Sequence, residues 1–191
     1  STLYVAPGGL TSGTCSNWGT ACDLQYALGI AVFDDELWVM QGTYMPTTTT
    51  DRNASFVLVD GVKIYGGFAG TETQLAQRNP TGNVTTLSGD IGLGGDTSDN
   101  SYHVVQAYSV SASAVLNGFT ITNGNSNGGA GHGGGIFIQD SSPMFANLVI
   151  SNNTASANGG GVYVLSLDTQ RANYSSPTFT QVVISSNTAA R

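Results

Sequence analysis

Two hydrophobic periods run along this chain, and they divide it unevenly. In "ACDLQYALGIAVFDD", the residues Leu24, Ala27, Leu28 and Ala31 recur at helical spacing. Asp23 ahead of them is a candidate N-cap, and Asp34-Asp35 end the segment. After it, apolar and polar positions alternate in short runs: "ELWVMQGTY", "SFVLVDGVKIYGGF", "TTLSGD", "YHVVQAY" and "AVLNGFTITNG". Runs of this kind, bounded by Gly, Asn, Asp and Ser, predict half-buried strands joined by tight turns.

From about residue 115 the alternation repeats. The segments "LNGFTITNG" (116–124), "FANLVISNN" (145–153) and "FTQVVISSN" (179–187) align with Ile121, Ile150 and Ile184 in one column. Between them stand "GGGIFI" (133–138) and "GGGVYV" (159–164), each followed by a Ser-Pro. The extra residues of the last unit lie in "LSLDTQRANYSS". Constant core segments with one loop of variable length mark a solenoid. No second helix-period segment appears, which excludes leucine-rich and helical repeats. Propeller blades need units of roughly 40–50 residues. Three short strands in about 20–30 residues predict a parallel β-helix.

Alternation then assigns faces. Phe119/Ile121, Leu148/Ile150 and Val182/Ile184 point inward, and Thr120, Val149 and Val183 outward. In the glycine-led strands Ile136/Ile138 and Val162/Val164 face in, while Phe137 and Tyr163 face out. Asn153 and Asn187 follow their isoleucines at one offset, where stacked amides can bond along the axis. Glycine before each strand supplies positive φ and close approach between rungs. "GGAGHGGG" lacks the Lys and the following helix of a phosphate loop.

Composition narrows the partners. Of the 191 residues, 40% are hydrophobic and only 9% charged, against roughly 25% charged in ordinary globular chains. There are 26 glycines, and the net charge is −7. With no basic cluster, nucleic-acid binding is not expected. No run of about 18 apolar residues predicts a membrane helix. The opening "STLYVAPGG" reads as a mature or trimmed start. Cys15 and Cys22 in "CSNWGTAC" fit neither a zinc pair nor a redox motif. A local disulfide is the expectation, implying export, with two free buried thiols as the alternative.

The units "GGGIF", "GGGVY", "ISNNTA" and "ISSNTA" resemble the GGA(I/L/V) and FxxN repeats of bacterial polymorphic outer membrane proteins, with Ile in place of the motif's Phe. "LYVAPGG", "WGTACDLQYAL", "DELWVMQGTYMPT", "GVKIYGGFAGTET", "LSGDI" and "DNSYHVV" resemble the leading part of secreted bacterial right-handed β-helix proteins. The resemblance implies an all-β, right-handed parallel β-helix. Residues 1–35, with the helix, would form the N-terminal cap, and 36–191 the rungs. It is shared by surface proteins, adhesins, autotransporter passengers and polysaccharide-active enzymes, so fold alone does not choose among them. The sequence stops at "ISSNTAAR", directly after a rung strand. A longer chain, or end-to-end contact with another copy, is expected to cover that edge.

The expected role is a non-catalytic extracellular or cell-surface scaffold for adhesion, surface coating or fibre formation. The alternatives are a carbohydrate-active enzyme and a carbohydrate-binding module of a larger secreted protein. Phe137 and Tyr163, outward in consecutive rungs, could hold a sugar face or simply stabilise the sheet as a cross-rung pair. Asp90, Asp96, Asp99 and Asn100 in "SGDIGLGGDTSDN" offer oxygen ligands for calcium, or turn-forming side chains of a solvated loop. The carboxylates of Asp34, Asp35 and Glu36 are neighbours in sequence and do not straddle a substrate as glycoside hydrolysis requires. The basic residues Arg52, Lys63, Arg78, Arg171 and Arg191 show no clustering with acids at rung spacing, as a lyase would need. His103 and His132 have no partner spaced for a metal and are taken as non-catalytic. Asn53, Asn83, Asn152 and Asn173 stand in glycosylation sequons that a chain rich in Asn, Ser and Thr produces by chance.

Overall fold

A computed structural model describes residues 1–167 and 174–190. Arg171, Asn173 and Arg191 lie outside the described residues. The strands in chain order are β1 (Thr2–Leu10), β2 (Glu36–Met40), β3 (Gly42–Tyr44), β4 (Phe56–Val57), β5 (Lys63–Phe68), β6 (Thr85–Ser88), β7 (Val105–Tyr108), β8 (Val115–Asn117), β9 (Thr120–Thr122), β10 (Asn125–Ser126), β11 (Ile136–Gln139), β12 (Met144–Ser151), β13 (Thr154–Ala155), β14 (Val162–Leu165), β15 (Thr178–Ser185) and β16 (Thr188–Ala189).

Every pairing is parallel, and each strand pairs with its counterpart in the next turn of chain. The result is a right-handed parallel β-helix with three walls. The first runs β1-β2-β5-β8 and the second β3-β6-β9. The long strands β12 and β15 span both of these walls, so that Met144–Ala146 pair with β8 and Val149–Ser151 with β9. They turn the corner at Asn147 and Gln181, whose φ values are 50° and 53°. Gly118 takes the same left-handed conformation one rung earlier. Asn adopts it readily through its short polar side chain; Gln181 does so with more strain. The third wall is β4-β7-β11-β14, and the short ladder β10-β13-β16 follows the second wall.

The core is a set of columns, one inward residue per rung. Leu37, Ile64, Leu116 and Phe145 fill one, and Leu87, Ile121 and Ile150 another. Phe56, Val105 and Ile136 with Leu58, Ala107 and Ile138 fill the third wall. The expected inward set is buried as far as Ile150. In the last rung Val162 and Val182 pack partly buried against this core, while Val164, Phe179 and Ile184 are 41%, 39% and 55% exposed.

Asn153 and Asn187 stand inside the corner after the second wall. Asn153 Nδ2 donates to the carbonyls of Ile121 and Ser151, and its Oδ1 accepts from the Gly124 amide. Asn187 continues the ladder to Asn153 and to the Ile150 carbonyl. A fully buried amide is tolerated here because its donors and acceptors are satisfied. In the glycine triplets, Gly133 and Gly159 have φ of 68° and 65°. A Cβ on Gly134 or Gly160 would press on the Thr154 or Thr188 carbonyl of the next rung. The triplet is therefore a corner built for a turn and a close contact.

At the first end, α1 (Leu24–Ile30) is capped by Asp23, whose carboxylate accepts from the amides of Gln25 and Tyr26. A helix of seven residues has little stability of its own. It holds because Leu24, Ala27 and Leu28 join the core. Cys15 and Cys22 form a disulfide beside β1. Among the described residues no helix is long and apolar enough to cross a membrane.

Candidate ligand-binding cleft

Parallel register builds an aromatic ledge on the outside of the third wall. Gln106, Phe137 and Tyr163 occupy one outward column, and Tyr108, Gln139 and Leu165 the next. The alternation that buries Ile136 and Ile138 leaves Phe137 on the outer surface between them. The pair is half-buried, more covered than two exposed rings would be, because neighbouring rings pack around it. Phe137 lies 5.1 Å from His103, 5.9 Å from Tyr163 and 6.0 Å from Tyr108, centroid to centroid. His132 stacks on Tyr163 at 4.3 Å with its plane inclined by 13°.

Beside this ledge is a cleft of about 460 Å³. His103, His132, Phe137, Tyr102, Tyr108 and Gln106 line it, with Asn53, Gln139 and the Gly128–Gly131 loop at its margin. Tyr163 continues the ledge from Phe137. Gly128 is required by close approach, since a Cβ there would fall 2.7 Å from the Tyr102 ring. Tyr102 is backed by Arg52, whose guanidinium lies 4.2 Å from the ring centroid. That cation also donates to the carbonyls of Asn100 and Asn125 and to Asn127 Oδ1, locking three segments around the cleft wall.

The partners of the imidazoles determine their tautomers. His103 Nδ1 is 2.8 Å from the Gly133 carbonyl, which can only accept, so Nδ1 carries the proton and Nε2 keeps a lone pair. Burial lowers the pKa of His103 below its ordinary value, and the Gly133 carbonyl only partly opposes this. The ring is neutral at pH 7. His132 Nδ1 accepts the Asn158 amide at 3.2 Å, so the proton of the neutral ring is on Nε2. Gln106 accepts from Ser55 Oγ and donates to the Tyr108 hydroxyl, both at 2.6 Å. Burial raises the pKa of Tyr108, so its O–H is kept. Among the described residues the lining contains no Asp, Glu, Lys or Arg.

The other sequence candidates lie elsewhere. Asp90 accepts the Gly95 amide, Asp96 the Ser98 amide, and Asp99 Oδ2 the Leu93 amide at 2.7 Å. These carboxylates act locally, and among the described residues no three His, Cys, Asp or Glu side chains converge as metal ligands. Three oxygens in sequence, Asp99 Oδ1, Asn100 Oδ1 and Ser101 Oγ, are nevertheless buried without a partner. Asp35 Oδ2 accepts the Val32 amide and Glu36 Oε2 the Trp38 indole N–H, so the "DDE" run serves the turn after α1 and the first wall.

A larger groove of about 570 Å³ follows the corner of the first two walls, lined by Arg78, Thr120, Asn147, Val149, Gln181 and Val183 among others. Among the described residues its one cation is engaged. Arg78 donates to the carbonyls of Gly66 and Asn117 and to Asn117 Oδ1, beneath the Tyr65 ring.

Tyr102, Tyr108 and Gln106 are cleft residues with no role assigned from the sequence, and the two histidines, expected only to be non-catalytic, join them there. Alternation marks Gln106 and Tyr108 as outward. His103 escapes it because Val104 and Val105 are both buried in succession. No curated protein and no solved structure matches the chain. Over residues 23–191, the rungs and the helix that packs on them match one family profile, and the chain belongs to the family described as protein of unknown function DUF1565.

Proposed function

We propose that this protein is a secreted or cell-surface β-helix scaffold that binds glycans without transforming them, in the manner of an adhesin or of a binding module in a larger surface protein. The observation that carries the reading is the ledge of His103, Tyr108, Phe137, Tyr163 and His132 beside an uncharged cleft with amide side chains at its margin. Aromatic faces pack against the C–H face of a sugar, and amides and imidazoles meet its hydroxyls. The sequence resemblance to polymorphic outer membrane protein and autotransporter passenger repeats supports the extracellular setting. So does the disulfide, a bond that persists in oxidising compartments.

A glycan array, followed by calorimetry on the hits, tests the proposal. Binding by the wild type that is lost in Phe137→Ala supports it. Release of shortened or unsaturated products from a bound glycan would replace it with the enzyme reading.

A second reading, end-to-end contact, is favoured by the last rung, where Val164, Phe179 and Ile184 present inward positions without cover. Contact with the same edge of another copy would bury them. Sedimentation across a hundredfold range of concentration tests this: a monomeric mass throughout would remove end-to-end contact. The 90–101 loop is proposed to take calcium, on the three buried oxygens there that have no partner among the described residues and are hard ligands of the kind calcium takes.

A further inference from the structure

We infer that the cleft selects a neutral, hydroxyl-rich sugar over an acidic one, and that His103 and His132 read its hydroxyls as a matched acceptor and donor. The inference rests on the glycan-binding reading and names the ligand class for that site.

The first support is the opposite protonation of the two imidazoles. The Gly133 carbonyl holds the proton of His103 on Nδ1 and leaves Nε2 as an acceptor. The Asn158 amide occupies Nδ1 of His132 and leaves Nε2–H as a donor. Both rings line the same cleft, and each packs on an aromatic ring of the ledge, His103 on Phe137 and His132 on Tyr163. A sugar hydroxyl is both donor and acceptor. Two hydroxyls of one ring can therefore be met with opposite polarity, and the Tyr108 O–H adds a second donor. Fixing each tautomer through a backbone group means that neither imidazole must reorganise when ligand arrives.

The second support is charge. The described lining has no cation to meet a carboxylate. Arg52, which backs the cleft residue Tyr102, is committed to that ring and to Asn100, Asn125 and Asn127. A uronate carboxylate would exchange water for neutral donors alone, with no cation in the described lining to balance its charge, which is unfavourable. The chain's net charge of −7 opposes its approach as well.

Calorimetry with paired oligosaccharides that differ only at C6, oligogalactose against oligogalacturonate and oligoglucose against oligoglucuronate, tests this on the full chain. The expected result is that at least one neutral member binds and that its uronate binds at least tenfold more weakly. Equal or tighter binding of the uronate, still abolished by Phe137→Ala, overturns the selectivity and leaves glycan binding intact. Failure of every member, neutral and acidic, overturns both. His132→Phe keeps a ring on Tyr163 and removes the donor, and His103→Phe likewise removes the acceptor. Each is expected to weaken the neutral ligand roughly tenfold, with far-UV circular dichroism unchanged. Full affinity in either folded variant overturns the role given to that imidazole.

Discussion

The two outer faces of this coil invite comparison. The groove at the corner of the first two walls is larger than the cleft on the third, at about 570 against 460 Å³. Volume alone would choose the groove. Its hydrogen-bonding groups, however, are largely directed at the protein. Arg78 joins the rungs of Gly66 and Asn117, Asn147 donates to Asn117 Oδ1, and Thr120, Val149 and Val183 form a plain sheet surface. In the cleft, bonds among the described residues engage Nδ1 of each imidazole and the Tyr108 oxygen, and leave over Nε2 of each imidazole and the hydroxyl hydrogen of Tyr108. What distinguishes a site here is polar valence left unsatisfied by the protein, set beside rings that exclude water.

Four substitutions or conditions would break or sharpen that contrast. The largest effect is expected on binding. Phe137→Ala removes the central ring of the ledge and should lower affinity for a neutral oligosaccharide by tenfold or more. The melting temperature should fall by only a few degrees, because the ring is half-buried on an outer face. Unchanged affinity would show the ledge to be only a cross-rung stabiliser.

Arg78→Ala should do the reverse. It leaves the Gly66 and Asn117 oxygens without their charged donor, a loss of about 2–3 kcal/mol in unfolding free energy. Glycan affinity should stay within twofold of wild type. Arg78→Lys should recover little stability, since one ammonium cannot match the planar fork. A binding defect as large as that of Phe137→Ala would move function to the groove.

Acid should loosen the turn at residues 69–72, which Glu72 holds through three backbone amides. Burial alone would raise the pKa of Glu72, but the amides of Ala69, Gly70 and Thr71 outweigh it, so the folded-state value lies below the ordinary 4.5. A depressed folded value means that ionised Glu72 stabilises the fold above about pH 4.5 and that this contribution is lost as pH falls through the lowered value. Denaturant titrations from pH 6 to pH 3 should show wild type losing stability over that window. Glu72→Gln, already weaker at pH 6, should lose less. Parallel curves would remove Glu72 from the account.

The smallest effect concerns the loop before Tyr102. Millimolar calcium should raise the wild-type melting temperature by a few degrees over chelator and leave Asp99→Asn unmoved. Identical curves in calcium and chelator would mean that Asp99 Oδ1, Asn100 Oδ1 and Ser101 Oγ bind no calcium.

Much of the fold was legible in the chain because its causes are local. Period-two alternation separates Ile136 and Ile138 from Phe137 whatever the rest does. Asp23 caps α1 through amides two and three residues away. The glycine triplets report a left-handed corner, and the isoleucines that recur at one place in each aligned segment report the rung despite a loop of variable length. Phe137 and Tyr163 were reached by the same rule. The contacts around them were not, because His103 meets Phe137 and His132 meets Tyr163 only when one turn of coil settles on the next. His103 also precedes two successive buried valines, so counting by twos misplaces it.

By itself, then, the sequence determined the parallel coil, its one capped helix, and which residues of each strand face the core. Those are decided by backbone periodicity, by steric limits on φ, and by apolar area seeking burial. Only the tertiary structure decided that one outer wall is a plain groove crossed by a committed arginine and another an uncharged cleft with two imidazoles in opposite tautomers. That depends on which carbonyl or amide the stacking brings to each Nδ1, and a hydrogen bond between residues 26 or 30 positions apart leaves no mark in local pattern.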